Sequence, residues 1–99
     1  MAAESKFERH LTLQLERRFP GAIVLKNNAG LIQGFPDRLI LFESWWAAFE
    51  VKPSPTASHR PNQDYYIDLL NRMSYANFVY PQNEEEFYHD LQQTFRTSR

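Results

Sequence analysis

Apolar positions along the chain switch between two periods. Phe7, Leu11, Leu15 and Phe19 recur every four residues, the spacing of one stripe on a helix over residues 3–19. Pro20-Gly21 stops that helix. Ala22 to Lys26 is then a short strand, and Asn27-Asn28-Ala29-Gly30 a turn. Two further apolar runs, Arg38 to Phe42 and Trp45 to Val51, read as strands. The prolines at 53 and 55 forbid either ladder, so Pro53 to Ser58 is a loop. Pro61 marks a helix start, and Asn62 to Ser74 follows with Tyr66, Leu69, Leu70 and Met73 on its apolar face. Ala76 to Tyr80 is a fourth strand, ended by Pro81. The last helix runs from Glu84 to Phe95, with Phe87, Leu91 and Phe95 inward and three glutamates in its first turn.

The predicted order is αβββαβα. The first three strands form an antiparallel meander. A right-handed crossover through the second helix sets the fourth strand parallel to the third. The fold class is therefore mixed α/β, a four-stranded mixed sheet flanked by helices.

Composition narrows this picture. The 99 residues form a single domain, 1–99, and 42% apolar content with 15% aromatic supports one thin core. Net charge is −1, so no global basic field announces nucleic acid, although a local patch suffices for binding. With no cysteine, disulfides and thiolate metal sites are excluded, and a cytoplasmic setting is expected. The first residues, MAAESKFERHL, hold no apolar signal segment, and no run is long enough to span a membrane.

The chemistry sits in the second and third strands. A hairpin centred between Glu43 and Ser44 places Asp37 directly across from Glu50, on one face. Alternation adds Lys52 to that face and turns Val51 away. Two opposed carboxylates repel, so a positive group belongs between them: the Lys52 ammonium or a divalent cation with oxygen ligands. The Val51 carbonyl offers one more oxygen.

Pro36-Asp37 followed by Glu50-Val51-Lys52 resembles the PD-(D/E)XK nuclease motif, and the αβββαβ order is similar to the restriction-endonuclease-like core of that superfamily. Gly34-Phe35-Pro36-Asp37 resembles the GxPD of VRR-NUC domains and of archaeal-type Holliday junction resolvases. Gln63 with Tyr66 and Leu70 is similar to the QxxYxxxL pattern of VRR-NUC. The likeness covers roughly residues 4–81 and leaves the helix near 84–95 outside it.

The resemblance implies a Mg²⁺-dependent endonuclease, with Mn²⁺ as a substitute. Asp37, Glu50, Lys52 and Gln63 would be catalytic. Glu8, Asp37, Glu50 and the Val51 carbonyl would hold the metal, with Glu8 favoured over Glu4 because Phe7-Glu8-Arg9-His10-Leu11 resembles the family's xERxL segment. Lys52 would orient the attacking water or stabilise developing charge. Lys26, Asn28, His59 and Arg60 flank the same end of the sheet as nucleic-acid contacts, with Asn27 beside them. Arg17-Arg18 and the pair Arg96, Arg99 contact a duplex or solvate a surface. The three histidines lack metal-ligand spacing.

The expected substrate is DNA, branched as in Holliday junctions or flaps, in a bacterial or phage-infected cell. Adjacent Trp45 and Trp46, with Tyr65 and Phe78, predict an exposed aromatic patch and a homodimer. The alternative is a catalytically silent DNA-binding module or a subunit that needs a partner protein for substrate choice.

Overall fold

The computed structural model describes residues 4–28 and 30–96. The predicted helix start at residue 3, Ala29 of the turn, and Arg99 lie outside the described residues. Eight elements follow in order: α1 (Lys6–Arg18), β1 (Ile23–Lys26), β2 (Arg38–Phe42), β3 (Trp45–Val51), α2 (Gln63–Met73), β4 (Ala76–Val79), a 3-10 turn (Pro81–Asn83) and α3 (Glu84–Thr94). The sheet order is β1-β2-β3-β4. β1 and β2 pair antiparallel, as do β2 and β3, while β3 and β4 run parallel. This is the αβββαβα order and mixed sheet that the apolar pattern predicts. No helix among the described residues is long and apolar enough to cross a membrane.

Local chemistry explains the boundaries. Ser5 caps α1 through a capping box, its side chain accepting from Glu8 N–H while Glu8 accepts from Ser5 N–H. The β2–β3 connection is the two-residue turn Glu43-Ser44, and Glu43 takes a left-handed φ of +55°. That tight turn sets the register Arg38↔Phe49 through Phe42↔Trp45.

The sheet buries both faces unequally. On one face Leu11, Leu15 and Phe19 of the α1 stripe meet Ile40, Ala47, Phe49 and Val79, with Phe87, Leu91 and Phe95 from the α3 segment. On the other, α2 covers Ala48 and Ala76 with Ile67 and Leu70. The two small alanines let the helix approach the sheet closely. α2 thus turns Gln63, Ile67 and Leu70 inward, and Met73, predicted on the apolar face, is 63% exposed at the last turn.

Of the predicted exposed aromatic patch, Tyr65 is 60% exposed, while Phe78 and both tryptophans are packed against the core. Trp45 and Trp46 point to opposite faces and both are half-buried: Trp45 stacks with Phe42 and Phe95, and Trp46 packs against the α2 cluster. The uncovered apolar surface lies elsewhere. Because α2 sits over β3 and β4, Ile23, Leu25 and Leu41 on β1 and β2 remain exposed on that face.

Candidate active site

The site forms where β2 begins and β3 ends. The last ladder pair is Arg38↔Phe49, so Asp37 and Glu50 stand one step further along, across from each other. Asp37 N–H donates to Glu50 Oε1 at 3.1 Å, and Val51 N–H donates to Asp37 Oδ1 at 3.4 Å. Asn27, expected beside a substrate cleft, instead clamps the approach to Asp37: its N–H donates to Asp37 O and its side-chain amide to Pro36 O.

Both acids are partly desolvated. Burial raises the Asp37 carboxyl above its ordinary value, against the lowering influence of Arg38. Burial raises Glu50 too, and the nearby Asp37 charge adds to that shift. Each prefers its proton, or a cation, more than an exposed carboxyl does.

Lys52 is buried two residues beyond Glu50, on the same face. Its ammonium donates to Gln63 Oε1 at 2.8 Å and to Ser58 O at 3.1 Å. An ammonium has three donors, so one N–H is left for a water or a phosphate oxygen. Gln63 is buried in the first turn of α2, and its Oε1 also accepts from Arg60 N–H at 2.8 Å. The amide thus joins the loop after β3 to the helix and aims Lys52. Asp37, Glu50, Lys52 and Gln63 come together as expected.

Other predicted residues surround this centre at varying remove. Arg60 is exposed, and its charge acts to lower the Glu50 pKa. His59 stacks on Phe78 and bonds Asp64. Lys26 is exposed, and its charge acts on Glu8. Asn28 serves its own turn, accepting from Gly30 N–H. Arg18 lies over the Tyr88 ring at 4.1 Å.

Glu8 stands across Arg38 from the pair. Arg38 is almost wholly buried, and its Nη2 donates to Glu4 Oε2 and Glu8 Oε2, both at 3.1 Å. Its Nη1 lies 3.6 Å from Asp37 Oδ2. Burial alone would raise Glu8, but its bonds to Ser5 and the charges of Arg38 and Lys26 leave its carboxyl below the ordinary value. Glu4 and Glu8 are therefore both partners of one guanidinium.

Among the described residues, no group of three or more His, Cys, Asp or Glu is gathered to hold a metal ion. The donor set of Asp37 and Glu50, all oxygen and with both carboxyls raised, fits one hard divalent cation bound by two acids, with the Val51 main chain alongside. A cleft of about 380 Å³ opens beside it, between Phe7 and Glu8 of α1, Val51 and Lys52, and prolines 53 and 81.

Arg38 is a residue beside the site that the strand pattern does not single out. Its signal was a charged side chain on the same strand face as Ile40, where a core position belongs. Gly34 of the Gly34-Phe35-Pro36-Asp37 segment also has a structural role. Its φ is +88°, and a Cβ there would meet Pro61 and Asn62 within 2.7 Å, so the segment before Asp37 passes close against the start of α2.

No family model, no curated protein and no solved structure matches the chain.

Proposed function

We propose that this protein is a Mg²⁺-dependent endonuclease that hydrolyses phosphodiester bonds in DNA, at branched structures such as four-way junctions or flaps, in the cytoplasm. The supporting observation is the convergence at one end of the sheet of two bonded pairs, Asp37 with Glu50 at 3.1 Å and Lys52 with Gln63 at 2.8 Å, with the Lys52 charge acting on Glu50. Asp37 and Glu50 would hold the cation; Mn²⁺, with similar ligand preferences, would substitute. When bound, the ion supplies positive charge and lowers the pKa of the attacking water. Lys52, aimed by Gln63, orients that water or meets charge developing on the phosphoryl oxygens. Arg60 borders the same end of the sheet and suits a phosphate backbone.

A homodimer would bring two such sites to the two strands of a branch. The exposed strip of Ile23, Leu25 and Leu41 supports a protein partner, and a second copy is the simplest one. A mass of 11.8 kDa at every concentration in light scattering would remove the dimer.

The activity is tested with Mg²⁺ on labelled four-way junction, flap, duplex and single-stranded DNA, with Lys52→Ala as control. The expected result is cleavage by the wild type, strongest on a branched substrate, and loss of about 10²-fold or more in the variant. Equal trace cleavage by both proteins would mean contamination and end the nuclease reading. The strip also gives a specific basis for a subunit that needs a larger partner; cleavage only after adding such a partner would favour it.

A further inference from the structure

His59 is held from two directions. Its Nδ1 lies 2.8 Å from Asp64 Oδ1. A carboxylate at neutral pH only accepts, so Nδ1 carries a proton. The ring stacks on Phe78, with centroids 4.0 Å apart and planes 19° from parallel. A third of the side chain remains exposed, at 33%, and Nε2 makes no hydrogen bond among the described residues. The imidazole is thus fixed in orientation with Nδ1–H on Asp64, and its outward Nε2 carries the second proton when the ring is an imidazolium.

Its position follows from the strand order. Phe78 on β4 is the register partner of Glu50 on β3, while Asp37 approaches Glu50 from β2 on the other side. Asp37 and His59 therefore flank Glu50 on opposite sides. The carbonyl of Ser58, one residue before His59, accepts from the Lys52 ammonium. Hydrolysis at phosphorus is in-line, with attacking and leaving oxygens on opposite sides. Attack from the Asp37–Glu50 side would send the leaving oxygen toward His59, with Lys52, bonded to Ser58 O, meeting charge on the phosphoryl oxygens rather than orienting the water.

We propose that His59 is the general acid of the cleavage reaction, protonating the leaving oxygen from Nε2. The proposal rests on the nuclease reading above. The water oxygen bonds to phosphorus as the bridging P–O bond breaks. The electron pair of that bond stays on the leaving oxygen, which takes the Nε2 proton and departs as an alcohol. One proton of the attacking water is released to solvent, and solvent reprotonates the imidazole. Asp64 retains the Nδ1–H bond throughout and stabilises the imidazolium, a positioning role. The charged groups around the ring are Asp64 from α2, Lys52 through Ser58, Arg60 next in the chain and Glu50 beside Phe78; β4 itself carries none.

The experiment compares two substrates in Mg²⁺ or Mn²⁺: ordinary DNA, and DNA with sulfur in place of the leaving bridging oxygen, prepared at each bridging position. A thiolate departs without a proton. His59→Phe keeps a ring on Phe78 and removes both nitrogens. It should lose about 10²-fold or more on the oxygen substrate and stay within about threefold of wild type on the sulfur substrate. Asp64→Ala, at a side chain 77% exposed, keeps the fold and should show the same selective loss at smaller amplitude. Equal losses on both substrates, or none on either, overturn the general-acid role while the nuclease reading stands. A wild type that cleaves neither substrate overturns that reading and the proposal with it.

Discussion

The Asp37 main-chain N–H donates to Glu50 Oε1 at 3.1 Å, which ties the two acids directly across neighbouring strands. Burial raises both carboxyls above their ordinary values of 3.8 and 4.5. A carboxyl raised by folding binds its proton more tightly in the folded state. Its contribution to stability is complete below the ordinary value and is lost as pH rises through the raised one. Without divalent ions, Asp37→Asn and Glu50→Gln should therefore melt higher than wild type at pH 7. A gain of a few degrees would correspond to about 1 kcal/mol in a domain this size. The advantage should vanish below about pH 4, where the wild-type acids are themselves neutral. Added Mg²⁺ should raise the wild-type melting temperature and leave a variant carrying both Asp37→Asn and Glu50→Gln unchanged.

Gln63 separates stability from activity. Its buried Oε1 serves two donors, Lys52 Nζ and Arg60 N–H, each at 2.8 Å. Gln63→Ala leaves both without that acceptor and should cost about 1–3 kcal/mol in urea unfolding. Gln63→Glu restores the acceptors and most of the stability. It also pairs Lys52 with a full negative charge, so cleavage should stay low in Gln63→Glu. Recovery of both properties together would show that the amide is only structural.

Arg38 holds α1 to the start of β2. Removing a buried guanidinium from Glu4, Glu8 and Asp37 leaves three acids uncompensated. The side chains of Glu4 and Glu8 are 36% and 18% exposed, so water relieves part of the loss. Arg38→Met should then destabilise by about 3 kcal/mol, the lower end for a broken buried pair. Arg38→Lys should recover little, because an ammonium lacks the fork that reaches both sides. The Arg38 charge also lowers Asp37. A stable variant that removes the Arg38 charge should move the acid limb of the cleavage–pH profile to higher pH.

Gly34 has no room for a side chain. A Cβ there would lie 2.6 Å from the Asn62 carbonyl carbon and 2.7 Å from Pro61 O, at a φ of +88°. Backbone strain and overpacking together should make Gly34→Ala cost about 2–4 kcal/mol. The displaced start of α2 should carry Gln63 off Lys52, so cleavage should fall further than Gln63→Ala alone produces. Unfolding curves at wild-type stability would show that the loop yields without disturbing the helix.

Much of this was legible in the residues alone. The four-residue recurrence of Phe7, Leu11, Leu15 and Phe19 defined a helix whose inward face is as read, because that stripe has only one wide apolar surface to meet. The α2 pattern was less clear. Tyr65, Tyr66, Ile67, Leu69, Leu70 and Met73 surround much of the helix, so periodicity did not choose the buried side. The glycine-free turn at Glu43-Ser44 is unfavourable by composition, yet it occurs, because alternation on both strands already demands that register.

Asp37, Glu50 and Lys52 share a site for a reason contained in the chain itself. Strand alternation and a tight turn are local, and together they fix which side chains oppose. Arg38 among Glu4, Glu8 and Asp37, and His59 on Phe78, belong to the tertiary structure. Those contacts depend on how α1 crosses the sheet and where the loop after β3 travels, and segments far apart in the chain meet only once the helices have packed.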